Sequence, residues 1–362
     1  MPAISQTQIA KIANVSVSTV SKALGNNTAE ARRLKPETVE LIQSVAKRLG
    51  YQPNDHARAL RTQKSGLIGV FFGSGHQSAG RPVLSGYMAS RLLDGIEAAI
   101  VDHGLDLLLV NFTRQIDDPE HLTKLLMRKR LDGLIGIGLH ETPALLDREF
   151  MQQLPVVTIE RQQTDDASAT VAMDRRNAAD QVIRHLYHLG HRHIGYIGPL
   201  NEAASPAQTK RFECIKASAC AHGMPFTTRN VIDGKTTGEA VSRIGNYCLK
   251  DGEYGARQLI ARLPEITAIV AYNDLAAAGA LRALAQLGLN CPEDLSICGF
   301  GNYDVSQSAW PAITTVDYPL ADMARIATES LIAHIASDGR KPIRPQLVEG
   351  TLIVRESTAQ LS

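Results

Sequence analysis

Residues 14–24 read NVSVSTVSKAL and crowd the hydroxyls of Ser16, Ser18, Thr19 and Ser21 beside the ammonium of Lys22. Short hydroxyl side chains donate to phosphate oxygens or bond base edges while letting a helix backbone come close to a groove, and the lysine adds a charged donor. Val, Ser and Thr are only middling helix formers, so something other than propensity accounts for their choice here. The charge distribution points the same way. The chain as a whole carries a formal +1, but residues 1–64 hold ten Lys/Arg against four acids, a net +6, leaving −5 for the remainder. A basic head on a mildly acidic body suits a polyanionic partner for the head alone.

The elements that must position these groups can be read from the surrounding pattern. A first helix is expected from about Gln6 to Ala13, with Ile9, Ala10, Ile12 and Ala13 as its buried face. Asn14 stands where a tight turn needs a left-handed residue. Ser16 is placed to cap a second helix whose apolar stripe is Val15, Val20 and Leu24. After the polar stretch GNNTAEARRLK, Pro36 starts a third helix through Val39, Ile42, Val45, Ala46 and Leu49, and Gly50 ends it. Helix, turn and helix in a basic unit read as a helix-turn-helix that sets its second helix in the DNA major groove. The plainer alternative is a small helical bundle with a polar face. Either way the core is small, and a partner or ligand is expected to help hold it together.

From Gly66 the pattern changes. Strand-length apolar runs LIGVFF (67–72), LDLLLV (105–110), GLIGIG (133–138) and PVVTIE (155–160) alternate with helical stretches near 86–103, 118–130 and 143–153. A second series follows: TVAM (170–173), a helix to Leu189, HIGYIG (193–198), a helix over about 206–222, then TAIVAY (267–272) and LSICGF (295–300) around a helix at 273–287. Continuous apolar strands between helices mean parallel sheets covered on both faces, and the series is too long for one lobe. The expected architecture is an all-α helix-turn-helix head followed by an α/β core of two doubly wound parallel-sheet lobes. Ligands in such folds bind at the carboxyl ends of the strands. The expected domains are a head over 1–52, a hinge helix and linker over 53–65, and a two-lobed body over 66–362.

The composition, 362 residues with 44% hydrophobic and 21% charged, allows large cores. Five cysteines without a CxxC pair indicate neither a disulfide framework nor a thiolate zinc site. The opening MPAISQTQIAKIANV lacks the apolar run of a secretory signal, and no stretch reaches the roughly 18 uninterrupted apolar residues of a membrane span. A cytoplasmic protein without a membrane partner is expected.

The stretches TQIAKIANVSVSTVSKALGN and RLKPETVELIQSVAKRLGYQPNDHARALR resemble the head of the lactose-repressor (LacI/GalR) family of bacterial transcription regulators. RHLYHLGHRHIGYIGP (184–199), AIVAYNDLAAAGALRALAQLGLNCPEDLSICGF (268–300) and PAITTVDYPLADMARIA (311–327) are similar to that family's periplasmic-binding-protein-like core. The resemblance implies a ligand-responsive regulator, most simply a repressor, acting as a homodimer on a nearly palindromic double-stranded DNA operator. It puts Val17, Ser18 and Lys22 at base-facing positions, with Thr7, Ser16, Thr19 and Ser21 among the other DNA contacts. It makes Ala57–Leu60 a hinge helix whose Leu60 wedges into the minor groove, with Arg58 and Arg61 flanking it at phosphates.

For the cleft, the resemblance implies that Asp174 and Arg211 contact a small-molecule effector, and that Asp274 stands where related sugar-binding proteins meet hydroxyls. Capping of the following helix is the competing role for both aspartates. The family usually has Asp after GF, whereas this chain reads GFGN: Gly301 replaces the carboxylate and Asn302 is expected to substitute in part. Losing an acid while keeping Arg211 motivates the expectation of a sugar or, more narrowly, a sugar acid as effector. Cys214 replaces a usual glycine, and the loops at 73–87 and 201–210 are longer than typical. His185, His188, His191 and His193 have metal-like spacing but belong to a routine connection, so no metal and no cofactor are expected. Trp310 is expected to pack. No phosphate-binding glycine loop and no nucleophilic set suggest an enzyme. A transport receptor, which the body alone could serve, conflicts with the basic head; a regulator that has lost its effector is the remaining alternative.

Overall fold

The computed structural model describes residues 4–24, 34–51, 64–72, 87–110, 131–137, 154–160, 169–198, 206–233 and 249–361. Two compact units divide after Ser65. The expected hinge helix with Arg58, Leu60 and Arg61, the helices near 118–130 and 143–153, and most of the loops at 73–87 and 201–210 lie outside the described residues.

In the first unit, α1 (Gln6–Ala13) starts with a reciprocal cap: the Ser5 hydroxyl accepts from the Gln8 amide and the Gln8 side chain accepts from the Ser5 amide. It ends on Asn14, which takes the expected left-handed conformation at φ 51°. Helix α2 (Val17–Leu24) follows at once, its first turn closed by the Ser16 hydroxyl, which accepts from the Thr19 amide at 3.1 Å. Helix α3 (Pro36–Leu49) begins at its proline and stops at left-handed Gly50. Ile9, Ala10 and Ala13 meet Val20 and Ala23 of α2 and Ile42, Val45 and Ala46 of α3, with Val15, Leu24, Val39 and Leu49 around them. Ile12 departs from the expected buried face and is 50% exposed, because α1 needs only three inward positions to contact two short neighbours.

The second unit carries two six-stranded sheets. The first, in the order β11-β5-β4-β3-β1-β2, uses β1 (Leu67–Phe72), β2 (Asp106–Val110), β3 (Gly133–Ile137), β4 (Val156–Ile159), β5 (Thr170–Met173) and β11 (Gln346–Val348), all parallel. The second, in the order β12-β10-β9-β8-β6-β7, uses β6 (Ile194–Ile197), β7 (Val231–Ile232), β8 (Ala268–Ala271), β9 (Ser296–Gly301), β10 (Thr314–Asp317) and β12 (Thr351–Ile353), of which only β12 runs antiparallel, to β10. Strands β3 to β6 are buried along their whole length, as parallel strands covered on both faces must be. The described helices are α4 (Tyr87–Val101), α5 (Arg175–His188), α6 (Pro206–Ala221), α7 (Leu249–Arg262), α8 (Asp274–Leu287), α9 (Asp304–Ser308) and α10 (Leu320–Ala336).

The chain passes between the lobes three times. It leaves the first after β5, returns after β10 so that α10 packs on α4 and β4, and leaves again between β11 and β12. The crossings are tied to one another. The Asp174 amide donates to the Val348 carbonyl at 2.9 Å. Gln181 of α5 donates to the Gly350 carbonyl at 2.7 Å and accepts from the Leu352 amide at 2.9 Å.

Candidate operator interface and effector cleft

Helix α2 holds to its neighbours by Val20 and Ala23 and turns the opposite face outward. Val17, 44% exposed, and Ser18 and Lys22, also exposed, share that face with Ser21, which is half-buried. Thr19 is half-buried too, its hydroxyl 2.8 Å from that of Ser16, so these two hydroxyls are spent mainly on starting the helix. Thr7 lies exposed in the first turn of α1. The outward face is therefore small, hydroxyl-bearing and cationic at one end, which fits close approach to base edges and phosphates.

In the body, the carboxyl ends of β4, β5, β6, β8, β9 and β10 bring together residues far apart in sequence. Arg211 of α6 is 8% exposed and donates to the Tyr272 carbonyl at 2.7 Å. Its guanidinium lies 4.5, 4.9 and 5.6 Å from the ring centroids of Tyr272, Phe300 and Tyr318, within cation–π range. Burial opposes the charge, yet the tyrosines around it hold the pKa above its ordinary value. Close by, Tyr196 is fully buried, its hydroxyl has no hydrogen-bond partner, and burial pushes its pKa up.

Asp174 caps α5 by accepting from the Asn177 amide at 3.0 Å, so the capping role expected as an alternative is real. Asp274 does not cap α8; Asn273 does, accepting from the Ala276 amide at 2.8 Å. Asp274 is instead 0% exposed against Gly299, one oxygen accepting from the Thr315 hydroxyl at 2.5 Å and the other from the Tyr303 amide at 2.7 Å. Burial raises its pKa to about 6 in spite of those bonds. Its carboxylate anchors the 301–303 turn to α8 and β10.

Asn302, at φ 52°, is similarly engaged: its amide donates to Asp317 at 2.9 Å and its side-chain oxygen accepts from Arg355 at 2.7 Å. Gly301 has a physical reason here. At φ 124° a Cβ would stand 2.8 and 3.0 Å from ring atoms of Tyr303, so the tyrosine fills the space a longer residue 301 would need. Tyr303 in turn meets Tyr87 of α4, ring centroids 4.7 Å apart, and the Tyr87 hydroxyl donates to the Asn302 carbonyl at 2.9 Å. That contact links the two lobes.

Several of these participants escaped the sequence reading. Tyr87, Tyr303, Tyr196 and Arg355 carry no local motif. Glu160 could have been suspected from its charge at the end of an apolar run: it accepts from the Met173 amide at 2.8 Å and pairs with Arg175. Trp310, expected to pack, is 93% exposed just beyond α9. His191 bonds Thr267 at 3.0 Å and the Ala359 carbonyl at 3.1 Å, and His185 bonds Thr358 at 2.9 Å, so both serve to tie down the C-terminal segment. Among the described residues no His, Cys, Asp or Glu cluster could hold a metal, and no helix is long and apolar enough to cross a membrane.

Comparison with known proteins gives this geometry its context. Residues 7–54 match the model of bacterial regulatory proteins of the lacI family, and residues 183–358 match a periplasmic binding protein-like domain. The HTH-type transcriptional regulator GalS of Salmonella typhimurium is 31% identical over 89% of this chain and 87% of its own length. A lac repressor dimer bound to operator and an anti-inducer shares the fold with a TM-score of 0.76 at 19% identity, over 99% of each chain. A CelR–cellobiose complex does so with a TM-score of 0.67 at 23% identity, over 98% of this chain and 99% of that one. With its exposed second helix, its two crossed-over lobes and these similarities end to end, the chain belongs to the LacI family of bacterial regulatory proteins and is a DNA-binding transcriptional regulator.

Proposed function

We propose that this regulator is an operator-binding repressor of the cytoplasm, acting as a homodimer and controlled by a sugar-class effector held between its lobes. Residues 1–52 form the reading head, 53–65 the hinge and 66–362 the sensing body. The observation that carries the reading is the outward face of α2, where Val17, Ser18 and Lys22 stand free of the head's core. Val17 and Ser18 meet base edges and Lys22 adds a charged contact. Thr7, Ser16, Thr19 and Ser21 supply or support backbone contacts, and Arg58, Leu60 and Arg61 act at the hinge.

In the body, Arg211 and Asp174 contact the effector, while Asp274 and Asn302 position the wall that faces it. An effector that favours one lobe arrangement shifts operator affinity, and operator DNA shifts effector affinity by the same factor. The test is operator titration with a Lys22→Gln variant across a salt series. Binding weaker by about tenfold, with a shallower salt dependence, is expected for a lost phosphate or base contact. Unchanged affinity and slope for this variant and for Ser18→Ala would overturn the assignment of α2.

A further inference from the structure

Tyr87 is the first residue of α4, a helix fixed firmly to the first lobe. Its Leu92, Ile96 and Ile100 are buried, and Gly95 lets its backbone close on the Ala321 carbonyl of α10. The 301–303 turn is as firmly fixed to the second lobe. Asp274 holds the Tyr303 amide and the Thr315 hydroxyl, and Asp317 holds the Asn302 side-chain amide. Arg355 joins the Asn302 side-chain oxygen to the Ile313 carbonyl and the Ser306 hydroxyl. Between these two anchored pieces, the Tyr87 hydroxyl donates to the Asn302 carbonyl at 2.9 Å, and the Tyr87 and Tyr303 rings lie 4.7 Å apart as a tilted pair. Arg91, one turn along α4, donates to the Tyr87 oxygen at 3.3 Å. Tyr87 thus accepts from its own lobe and donates to the other. Gly301, at φ 124°, leaves the room that the Tyr303 ring takes up.

Every group in this contact belongs to the chain, so the lobes can be held together by it alone. A hydrogen bond and an aromatic pair each shift an equilibrium by about fivefold, which together can decide which of two lobe arrangements is the more populated. We propose that Tyr87 is a positioning residue: with Asn302 and Tyr303 it forms a clasp that presets the joined lobe arrangement, and that arrangement grips the operator before any effector arrives. This rests on the reading of the chain as a regulator whose lobe arrangement sets operator affinity.

The test uses the full chain without effector, in small-angle scattering and in titration with DNA fragments from around its own coding region. Tyr87→Phe, which keeps the ring, is expected to weaken binding about threefold. Tyr87→Ala, which loses ring and hydroxyl, is expected to weaken it about tenfold and to raise the radius of gyration. Both should keep the circular dichroism of wild type, since Tyr87 is only half-buried at the start of its helix. Rescue separates a clasp from a merely structural contact. In Tyr87→Cys/Tyr303→Cys, a short bismaleimide joining the two positions, verified by peptide mass mapping, should restore the scattering profile and DNA affinity of wild type. Scattering or DNA affinity unchanged in Tyr87→Ala, cysteines that the reagent never joins, or a joined variant as weak as the unjoined one would each overturn the clasp. Scattering needs no DNA and so separates this claim from the reading beneath it. Wild type that retards no fragment while Tyr87→Ala opens keeps the clasp and removes the regulator; equal retardation by both does the reverse.

Discussion

The head and the body of this regulator solve the problem of placing functional groups in opposite ways. In the head, the groups proposed to face DNA, Val17, Ser18 and Lys22, are neighbours in sequence, exposed, and separated from a core of short apolar side chains by one helical half-turn. In the body, Arg211, Tyr196, Asp274 and Tyr303 come from different elements and are buried or half-buried, so each is fixed by partners distant in the chain. A surface that reads a regular polymer needs spacing along one helix. A cavity that closes on a small molecule needs convergence of strand ends, and with it the desolvation that shifts pKa values.

That contrast can be broken or sharpened by substitution. The largest effect is expected for Ile42→Ala: a fully buried residue in so small a core should cost about 4 kcal/mol. Operator binding should disappear while the body's response to its effector survives, as anisotropy and thermal shift together would show. If instead both functions fail together, the two units do not fold separately.

Next is Asp274, with about 3 kcal/mol at stake. Its folded pKa of about 6 lies above its ordinary 3.8, so the folded state holds a proton that the unfolded chain releases between those values. The contribution is fully present below about pH 4 and is lost as pH rises through 6. Denaturant titrations of wild type and Asp274→Asn should therefore diverge across that window, with the slope missing in the variant. Parallel curves would mean that the carboxylate titrates normally. Leu60→Ala should weaken specific operator binding about tenfold and leave effector affinity of the free protein unchanged. The smallest change, about 1 kcal/mol of head stability, is expected for Ser16→Ala, which removes the cap on α2, and chemical denaturation followed by helix signal would measure it.

The same contrast explains what could be read before any fold was known. Local rules placed Asn14, Ser16, Pro36 and Gly50 correctly, because turns and caps are decided by one residue's conformation or one hydrogen bond. Eight apolar runs in the body correspond to β1–β6, β8 and β9, since buried parallel strands need continuous hydrophobicity. The short edge strands β7, β11 and β12 were not legible, since two or three residues leave no periodic signal, and neither was the buried strand β10, whose TTVD is no continuous apolar run. Helix α7 was missed as well, its LKDGEYGARQLIAR broken up by two glycines, Gly252 packed closely on Ala276 of α8 and Gly255 on Ile197 of β6. At the cleft, the resemblance pointed to Arg211 and Asp174 but could not show which aspartate caps a helix, or that Asn302 is bound by Asp317 and Arg355. The bonds of Asn302 depend on partners more than ten residues away.

The account stands most directly on a titration of purified full-length protein, at low ionic strength, against DNA fragments from around its own coding region, with and without sugar and sugar-acid probes. Retardation of a fragment containing a nearly two-fold symmetric site, weakened or strengthened by one of these probes, is the predicted result. Failure to retard any fragment, with or without probe, by a chain whose head is shown to be folded would contradict it.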